Sequence, residues 1–372
     1  MAEGTLPPDA PALLKLAKSL SASIEQVLMA GLTTAGASTQ EQLAVSMKEA
    51  ARMRLLRLGA TIRVIGEELS RFDKVPAKFS PQKLSFFLNR TWILCRGIAQ
   101  SIEGKDAAAL AKLLANPQTV AVKELRAAVI GVGKRVAPGI FSAFEFRMIA
   151  LGDSECVTRG MQVVWSTVFP AKGGAQIPAE AFLQLPQKQG FKPSILLSKK
   201  AIVISDASVS IDSGGVARLA LAEGSKITTS DKPIAWDGLV SWNPAKAAVR
   251  VAEAKISPID LDIEMQELVK LDDWSIEIPA EVADDSQPAD WPLTCGKLIY
   301  SLRTDDSVVR KPIQKAAKSK SDKPSLIGLL HYESCQFVLL PLALLTKESP
   351  EYITLSHAQV SAAELVKALQ LK

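Results

Sequence analysis

In the first third of the chain, apolar residues recur at intervals of three and four, which is the spacing of an amphipathic helix. A series of this kind follows Asp9 and Pro11, a pair typical of a helix start. Ser38 and Glu41 have the spacing of a capping box and predict the start of a second, long helix. Its apolar stripe comprises Met47, Ala51, Leu55, Leu58, Ile62, Ile65, Leu69 and Phe72. Two further helical patterns follow, and four helices with short connections predict a bundle.

Beyond about residue 118 the pattern changes to an alternation of apolar and polar residues, which is the period of a half-buried strand. Residues 129–136 and 140–149 flank a Pro-Gly turn in the manner of a hairpin, and residues 163–169 alternate along a further strand. Turn-forming residues are frequent throughout this region. They favour an antiparallel sandwich or barrel over a parallel sheet with crossover helices.

These patterns predict an α+β protein of two domains. A helical bundle of residues 1–117 precedes an antiparallel β-rich domain of residues 118–372, built as a sandwich or a barrel, with a short C-terminal helix that begins at Ser361. The acidic, proline-bounded segment 279–292 leaves open an alternative in which the second domain is split into two small β modules. Residues 310–324 contain six basic residues and one acidic residue, and they predict a mobile basic loop.

The composition is that of a folded, soluble protein. Of 372 residues, 48% are apolar and 22% are charged, close to the averages of globular proteins. The N-terminus has no basic segment followed by an apolar one, and no apolar run is long enough to span a bilayer. We therefore expect a cytoplasmic protein with no membrane partner.

Residues that carry catalysis or bind metals are sparse. The chain has two histidines and four cysteines, and the cysteines stand singly, without the paired spacing of a zinc site. The segment GVGKR, residues 131–135, lacks the first glycine and the final hydroxyl of a phosphate-binding loop. We predict no catalytic residue, no metal ligand and no cofactor, and we favour a protein that is not an enzyme. An enzyme of an unrecognised type stays open, because carboxylates are plentiful.

The segment FFLNRTWILCRGIAQSI, residues 86–102, is apolar on nearly every side of a helix and yet carries three strongly polar residues. At about 100° per residue, Asn89, Trp92 and Arg96 share one stripe, while Arg90 lies opposite it. Such a helix is expected to pack on two faces and to run through the middle of the bundle.

Two main interpretations of this stripe compete. In the first, Arg96 is buried and pairs with Glu67 or Glu68 of the preceding helix, because an unpaired buried charge is very costly. In the second, Asn89, Trp92 and Arg96 bind a protein partner, since Trp and Arg are the residue types favoured at interface hot spots. A third interpretation places a small anionic ligand on the stripe.

The net charge is +5, and the whole excess of basic residues lies in the first third of the chain. Residues 1–115 contain fifteen Lys and Arg against ten Asp and Glu, whereas the rest of the chain contains twenty-nine of each. Basic residues with an aromatic side chain are typical of proteins that bind single-stranded nucleic acid, through the backbone phosphates and through base stacking. The candidate residues for such binding are Arg52, Arg63, Lys188, Phe191 and Lys192.

The runs ARMRLLRLGATIRV and FFLNRTWILCRGIA resemble uncharacterised bacterial proteins encoded beside SWIM zinc-finger proteins and MoxR-class ATPases. The resemblance covers a small part of the chain and includes no catalytic motif. It implies an accessory subunit of an ATPase-centred assembly, and it assigns no functional residue.

Two functional hypotheses follow. The first is a non-enzymatic adaptor or accessory subunit that binds protein partners through the helical domain. The alternative is a protein that binds single-stranded DNA or RNA through the basic helical region and the loops of the β-rich domain. The order of the strands discriminates between them, because a five-stranded Greek-key barrel favours nucleic acid and a plain sandwich does not. The oligomeric state is not predicted.

Overall fold

The computed structural model describes most of the chain as two compact units, a helical unit up to residue 114 and a β-rich unit from residue 119. The described residues are 6–32, 37–53, 55–74, 76, 79–114, 119–137, 141–170, 178–212, 215–234, 236, 243–253, 265–278, 289–304, 307–319, 323–333, 335–346 and 349–356.

Five helices form the described part of the helical unit. They are α1 (Ala10–Ala30), α2 (Ala37–Arg52), α3 (Leu56–Lys74), α4 (Pro81–Glu103) and α5 (Ala107–Leu114). Helix α4 begins where the side chain of Ser80 accepts a hydrogen bond from the backbone N–H of Lys83 (3.3 Å), an N-cap followed by proline in the first turn. Helix α4 packs against α1, α3 and α5. The shared core includes Leu13, Leu20, Ile24, Ile62, Ile65, Leu88, Leu94 and Ile98.

The long helix predicted after Ser38 is wrong, because the chain forms α2 and α3 there instead. The N–H of Leu55 donates to the carbonyl of Ala50 (2.8 Å), one residue further back than in a regular α-helix, and the helix ends. The predicted stripe holds in α3 and fails in α2, where Met47 is exposed and Leu43 is buried. Helices α2 and α3 pack against each other. A regular spacing of apolar residues does not show the position at which a helix breaks to allow such packing.

The β-rich unit begins with a closed five-stranded barrel. Its strands are β1 (Thr119–Ala137), β2 (Phe141–Ala150), β3 (Gln162–Pro170), β4 (Ala201–Ile211) and β5 (Ala217–Ser230). They close in the order β1-β2-β3-β5-β4, with antiparallel neighbours except for the parallel pair β3 and β5. Strands β1, β2 and β3 form a meander and β4 returns beside β1, which is a Greek key. Inward side chains such as Phe144, Phe146, Met148 and Trp165 fill the barrel.

A seven-stranded sheet and two helices complete the unit. The strands are β6 (Glu267–Leu271), β7 (Trp274–Ile276), β8 (Ala289–Cys295), β9 (Leu298–Thr304), β10 (Ser325–Glu333), β11 (Gln336–Leu345) and β12 (Pro350–Tyr352), in the order β6-β10-β11-β9-β8-β7 with β12 beside β11. The helices are α6 (Pro244–Glu253) and α7 (Ser307–Ala317). One face of the sheet joins the barrel core through residues such as Ile327 and Leu342. The other face forms a core with both helices through residues such as Leu330, Ala248 and Ile313.

The predicted α+β class is confirmed, with helices first and a β-rich region after them. The β-rich unit combines a barrel with a sheet, where a barrel or a sandwich was expected. The C-terminal helix predicted from Ser361 lies outside the described residues, as do residues 279–288 of the acidic segment. None of the described helices is long and apolar enough to cross a membrane.

The mobile basic loop predicted at residues 310–324 is wrong for its first half, which belongs to α7. Val309, Ile313 and Ala316 are buried in the core beneath the sheet. Their spacing of four and three places them on one helical face. Lys311 and Lys315 are exposed on the other faces, whereas Arg310 is buried. The high proportion of basic residues in this segment predicted a loop, but it does not exclude a short apolar stripe on one face of a helix.

Candidate functional site

A cavity of about 300 Å³ lies between the outer surface of the barrel and the seven-stranded sheet. Residues of β1, β2 and β3 line its barrel side, and residues of the sheet and its flanking segments line the other side. The second group includes Gln266, Arg303, Leu340, Leu342 and Thr354. We refer to this cavity as the cleft.

Alternation along the strands decides which barrel residues face the cleft. In β2, Phe144 and Phe146 enter the barrel core, so the residues between and beside them point outward. Cross-strand pairing then arranges the outward residues in three rows. The inner row is Gly131, Arg147 and Val164, the middle row is Gly133, Glu145 and Ser166, and the outer row is Arg135, Ala143 and Val168.

The cleft is closed at its inner row and open at its outer row. A Cβ added to Gly131 would lie 2.7 Å from the Cβ of Leu342 on β11, so the two backbones approach as closely as a glycine permits. Val164 is buried, with 2% of its surface exposed. At the outer row, Val168 is 61% exposed and Arg135 is also exposed. The cleft therefore opens beside Arg135 and ends near Arg147.

Arg147 is a buried cation at the closed end. Its side chain is 8% exposed, and its Nη2 lies 2.6 Å from Oε1 of Glu145 and donates to Oε1 of Gln266 at 3.1 Å. Its buried Nε–H has no acceptor among the described residues. Burial lowers the pKa of Arg147, while the carboxylate of Glu145 opposes that shift. A guanidinium with an unused, desolvated N–H is a strong donor for an anion.

Two other cations of the cleft are neutralised by ion pairs. Lys134 lies 2.9 Å from Oε1 of Glu180. Burial by itself would raise the pKa of Glu180, but hydrogen bonds from Ser356 N–H and Lys134 outweigh it and lower that pKa. Arg303 binds both carboxylate oxygens of Asp290 at 3.1 Å each. Arg147 is also paired, with Glu145, but its Nε–H has no acceptor within the described structure, and Arg135 is exposed at the mouth. For these two reasons Arg147 and Arg135 are the basic residues best placed to meet a ligand.

Phe191, which was predicted to stack on a base, packs against the barrel core instead. Phe191 is half-buried, and its ring centroid lies 5.5 Å from that of Trp165, at the edge of the barrel core. Stacking on a base needs an exposed ring, and the tight turn from Gln187 to Phe191 folds this ring inward instead. Lys188 and Lys192 are exposed beside it.

Arg52 and Arg63 do not share one surface stripe, because they belong to different helices. Arg52 donates from Nε and Nη2 to Oε2 of Glu49 (3.0 and 2.9 Å). Arg63 lies 3.9 Å from Glu67. Both arginines form exposed ion pairs, which contribute little to stability.

Helix α4 carries Asn89, Trp92 and Arg96 at the surface of the helical unit. Asn89 and Arg96 are exposed, and the guanidinium of Arg96 lies 5.7 Å from the ring centroid of Trp92. The indole Nε1 of Trp92 donates to Oε1 of Glu25 on α1 (2.6 Å). Ile93, next to Trp92, is 38% exposed. The stripe is therefore a surface of mixed polar and apolar character, held in place by α1.

The predicted buried pair between Arg96 and Glu67 or Glu68 is wrong. Glu68 is buried, and its partners are Lys83 (3.0 Å), Arg71 and the N–H of Ser80 (3.2 Å). The buried arginine of α4 is Arg90, which lies over the ring of Phe86 at 5.9 Å. A helical wheel gives the angles between residues, but the neighbouring helices decide which angle faces inward.

Sequence reasoning missed Arg147, Glu145 and Gln266. The signal available was FEFRM in residues 144–148, where two charges occupy the outward positions of an otherwise apolar strand. Gln266 gives no comparable signal, because it lies far along the chain from the barrel. No group of acidic, histidine or cysteine residues arranged to hold a metal occurs in the part of the chain that the structure describes.

Comparison with known proteins adds little. The sequence matches no protein-family model and no curated protein. Among solved structures, a murine DNA-binding protein bound with double-stranded DNA aligns with 10% identity over 62% of this chain and 99% of its own, at a TM-score of 0.23. A score this low supports no inference about fold or function.

Proposed function

We propose that the β-rich unit binds single-stranded DNA or RNA in the cleft. The observation that carries the proposal is the closed Greek-key barrel in the order β1-β2-β3-β5-β4, with a cavity on the outer face of β2 and β3 whose lining includes Arg135 and Arg147. Five-stranded Greek-key barrels of the OB type bind oligonucleotides and oligosaccharides on that face. Because one fold can host many functions, the residues of the cleft have to favour nucleic acid as well as the topology.

The charges in the cleft favour a nucleic acid. Arg135 lies at the mouth, in the row of Ala143, and Arg147 lies two rows further along β2 at the closed end. Such cations attract backbone phosphates. The cavity of about 300 Å³ is too small for a duplex. The outward residues of β2 and β3 in its three rows include no aromatic side chain, so base stacking contributes little and affinity depends mainly on charge.

A binding measurement tests this function. Full-length protein is titrated into a fluorescently labelled single-stranded oligonucleotide, and the same strand as a duplex serves as comparison. We expect preference for the single strand, an affinity that falls with added salt, and a loss of about tenfold for Arg135→Gln.

Arg52→Gln combined with Arg63→Gln is the control, since these exposed residues lie in the helical unit, outside the cleft. It removes more charge than Arg135→Gln and should leave the affinity within about twofold. No binding at low salt, or an equal loss in both variants, would exclude the cleft as the binding site.

A second candidate function is an adaptor that binds proteins through the helical unit, as the resemblance to proteins encoded beside MoxR-class ATPases implies. The exposed stripe of Asn89, Trp92 and Arg96 on α4 supports it, because Trp and Arg anchor many interfaces. The tagged protein is purified from its own cells after nuclease treatment. Trp92→Phe with Arg96→Ala should remove the bound proteins, and Arg63→Ala should not. Retention of every partner by the double variant would exclude this surface.

A further inference from the structure

We infer that the cleft holds the end of a nucleic-acid strand, with its terminal phosphate on Arg147, and does not hold the middle of a continuous strand. The inference deepens the proposed function and rests on it. It follows from two features of the cleft, its closed inner end and the unused donor located there.

The closed end follows from contacts between the barrel and the sheet. At the inner row, Gly131 leaves no space before Leu342, and Arg147 donates to Gln266, the residue before β6. Beyond the inner row, the hydroxyl of Tyr352 donates to the carbonyl of Val129 at 3.1 Å, which joins β12 to β1. A strand that enters beside the exposed Arg135 is therefore blocked at the inner row along β1 and β2. On the β3 side that row continues through the buried Val164 to Arg218 of β5, which is paired with Asp212. An internal segment of a long strand would need an exit at both ends.

The volume of the cleft agrees with the binding of one terminal nucleotide. The cavity of about 300 Å³ lies at the small end of the range for ligand sites, roughly 300–1,000 Å³. The space is sufficient for one nucleotide at the closed end, and the following nucleotides would leave past Val168, which is 61% exposed.

The chemistry at the closed end selects a phosphomonoester. The Nε–H of Arg147 is buried and has no acceptor within the described structure, and the side chain is more than nine-tenths buried. A terminal phosphate carries a charge of about −1.5 to −2 near neutral pH, more than an internal phosphodiester. The more highly charged group gains more from a desolvated guanidinium. A strand that ends in a hydroxyl leaves the Nε–H without an acceptor.

Glu145 opposes this binding and provides a sensitive test. Its Oε1 lies 2.6 Å from Nη2 of Arg147, and its side chain is 33% exposed. An arriving phosphate competes with this carboxylate, which can turn toward solvent. Removing the negative charge while keeping the shape of the side chain should therefore strengthen the binding of phosphate.

The experiment compares the ends of one short single-stranded oligonucleotide. Full-length protein is titrated with the 5′-phosphorylated form, the 3′-phosphorylated form, the form with two hydroxyl ends and a circular form of the same sequence. We expect one phosphorylated form to bind about tenfold more tightly than the hydroxyl form, and the circular form to bind no better than the hydroxyl form. Equal binding of all four forms overturns the inference and leaves the proposed function standing. No binding of any form overturns both.

Three variants assign the effect to Arg147. Arg147→Gln should abolish the preference for the phosphorylated end, and Glu145→Gln should increase the affinity for that end severalfold. Arg159→Gln removes an exposed charge outside the cleft and should leave the preference intact. Because Arg147 is buried, thermal unfolding is recorded for each variant, and Glu145→Gln decides the matter if Arg147→Gln does not fold. Failure of Glu145→Gln to alter the preference overturns the inference.

A free nucleoside monophosphate carries the same phosphomonoester and is tested as a competitor. Binding of the strand end predicts that the oligonucleotide binds at least about tenfold more tightly than the mononucleotide, because Arg135 contacts the following phosphates. Equal affinity would show that the cleft is a site for a free nucleotide and would overturn the assignment to a strand end.

Discussion

At the scale of single residues, two buried charges have different surroundings. Glu68 in the helical unit receives hydrogen bonds or ion pairs from Lys83, Arg71 and the Ser80 N–H. Arg147 in the cleft has Glu145 and Gln266 as partners and one N–H without an acceptor in the described structure. Removing a buried charge that is fully partnered leaves its partners unsatisfied and destabilises the fold, whereas a buried N–H without an acceptor can donate to a ligand.

Glu68 predicts a specific dependence of stability on pH. Burial by itself would raise its pKa, but the hydrogen bonds from Lys83 and the Ser80 N–H, together with the charges of Lys83 and Arg71, lower it below its ordinary value. Because the pKa is lower in the folded state than in the unfolded chain, Glu68 stabilises the fold above the ordinary carboxyl pKa. That stabilisation is lost as the pH falls through the lowered value.

We therefore expect Glu68→Gln to lower the free energy of unfolding of the helical unit by about 2 kcal/mol at neutral pH. The difference from the original protein should shrink as the pH falls below about 4. Urea unfolding followed by far-ultraviolet circular dichroism measures both effects. Glu103→Gln, which removes an exposed ion pair with Lys18, is the matched control and should cost less than about 0.5 kcal/mol. A loss for Glu68→Gln that stays constant with pH would contradict this explanation.

At the scale of elements, β1 joins the barrel to the rest of the β-rich unit. Its 19 residues pair with β2 on one side and β4 on the other. Gly131 lies at an irregularity in the pairing with β2 and directly faces Leu342 of β11. Glycine is required there because the backbone of one element approaches the side chain of another, and this contact closes the inner end of the cleft.

Gly131→Ala should lower the free energy of unfolding of the β-rich unit by about 2 kcal/mol, since the new Cβ would lie 2.7 Å from the Cβ of Leu342. Gly133→Ala, two residues along the same strand, is the control. Its Cβ would lie 3.6 Å from the Cβ of Glu145, an ordinary contact, and it should change the stability by less than about 0.5 kcal/mol. Urea unfolding followed by tryptophan fluorescence measures both variants. Equal losses would mean that β1 tolerates no side chain on this face, and that the contact with Leu342 has no special role.

At the scale of the whole molecule, the distribution of the net charge of +5 does not indicate where the cleft lies. The excess of basic over acidic residues lies in residues 1–115. There, Arg52, Arg63 and Arg71 form ion pairs with neighbouring glutamates. The β-rich unit has little net charge and nevertheless contains the cleft. Local pairing decides which cations meet a ligand, and the sum of charges along the chain does not show that pairing.

The sequence by itself determined the α+β class and the order of helices before strands. Helical and strand periods are local properties, and a change from one to the other near residue 118 is visible without any contact. The same local information identified most of the buried residues of α3.

Only the tertiary structure decided the strand order, the break between α2 and α3, and the side of α4 that is buried. Each of these depends on contacts between distant segments. The cleft shows the reason most clearly, because Arg147 meets Gln266 across 119 positions of the chain. No local pattern records such a distance, so Glu145 and Arg147 read as two outward charges on a strand until the sheet is placed over them.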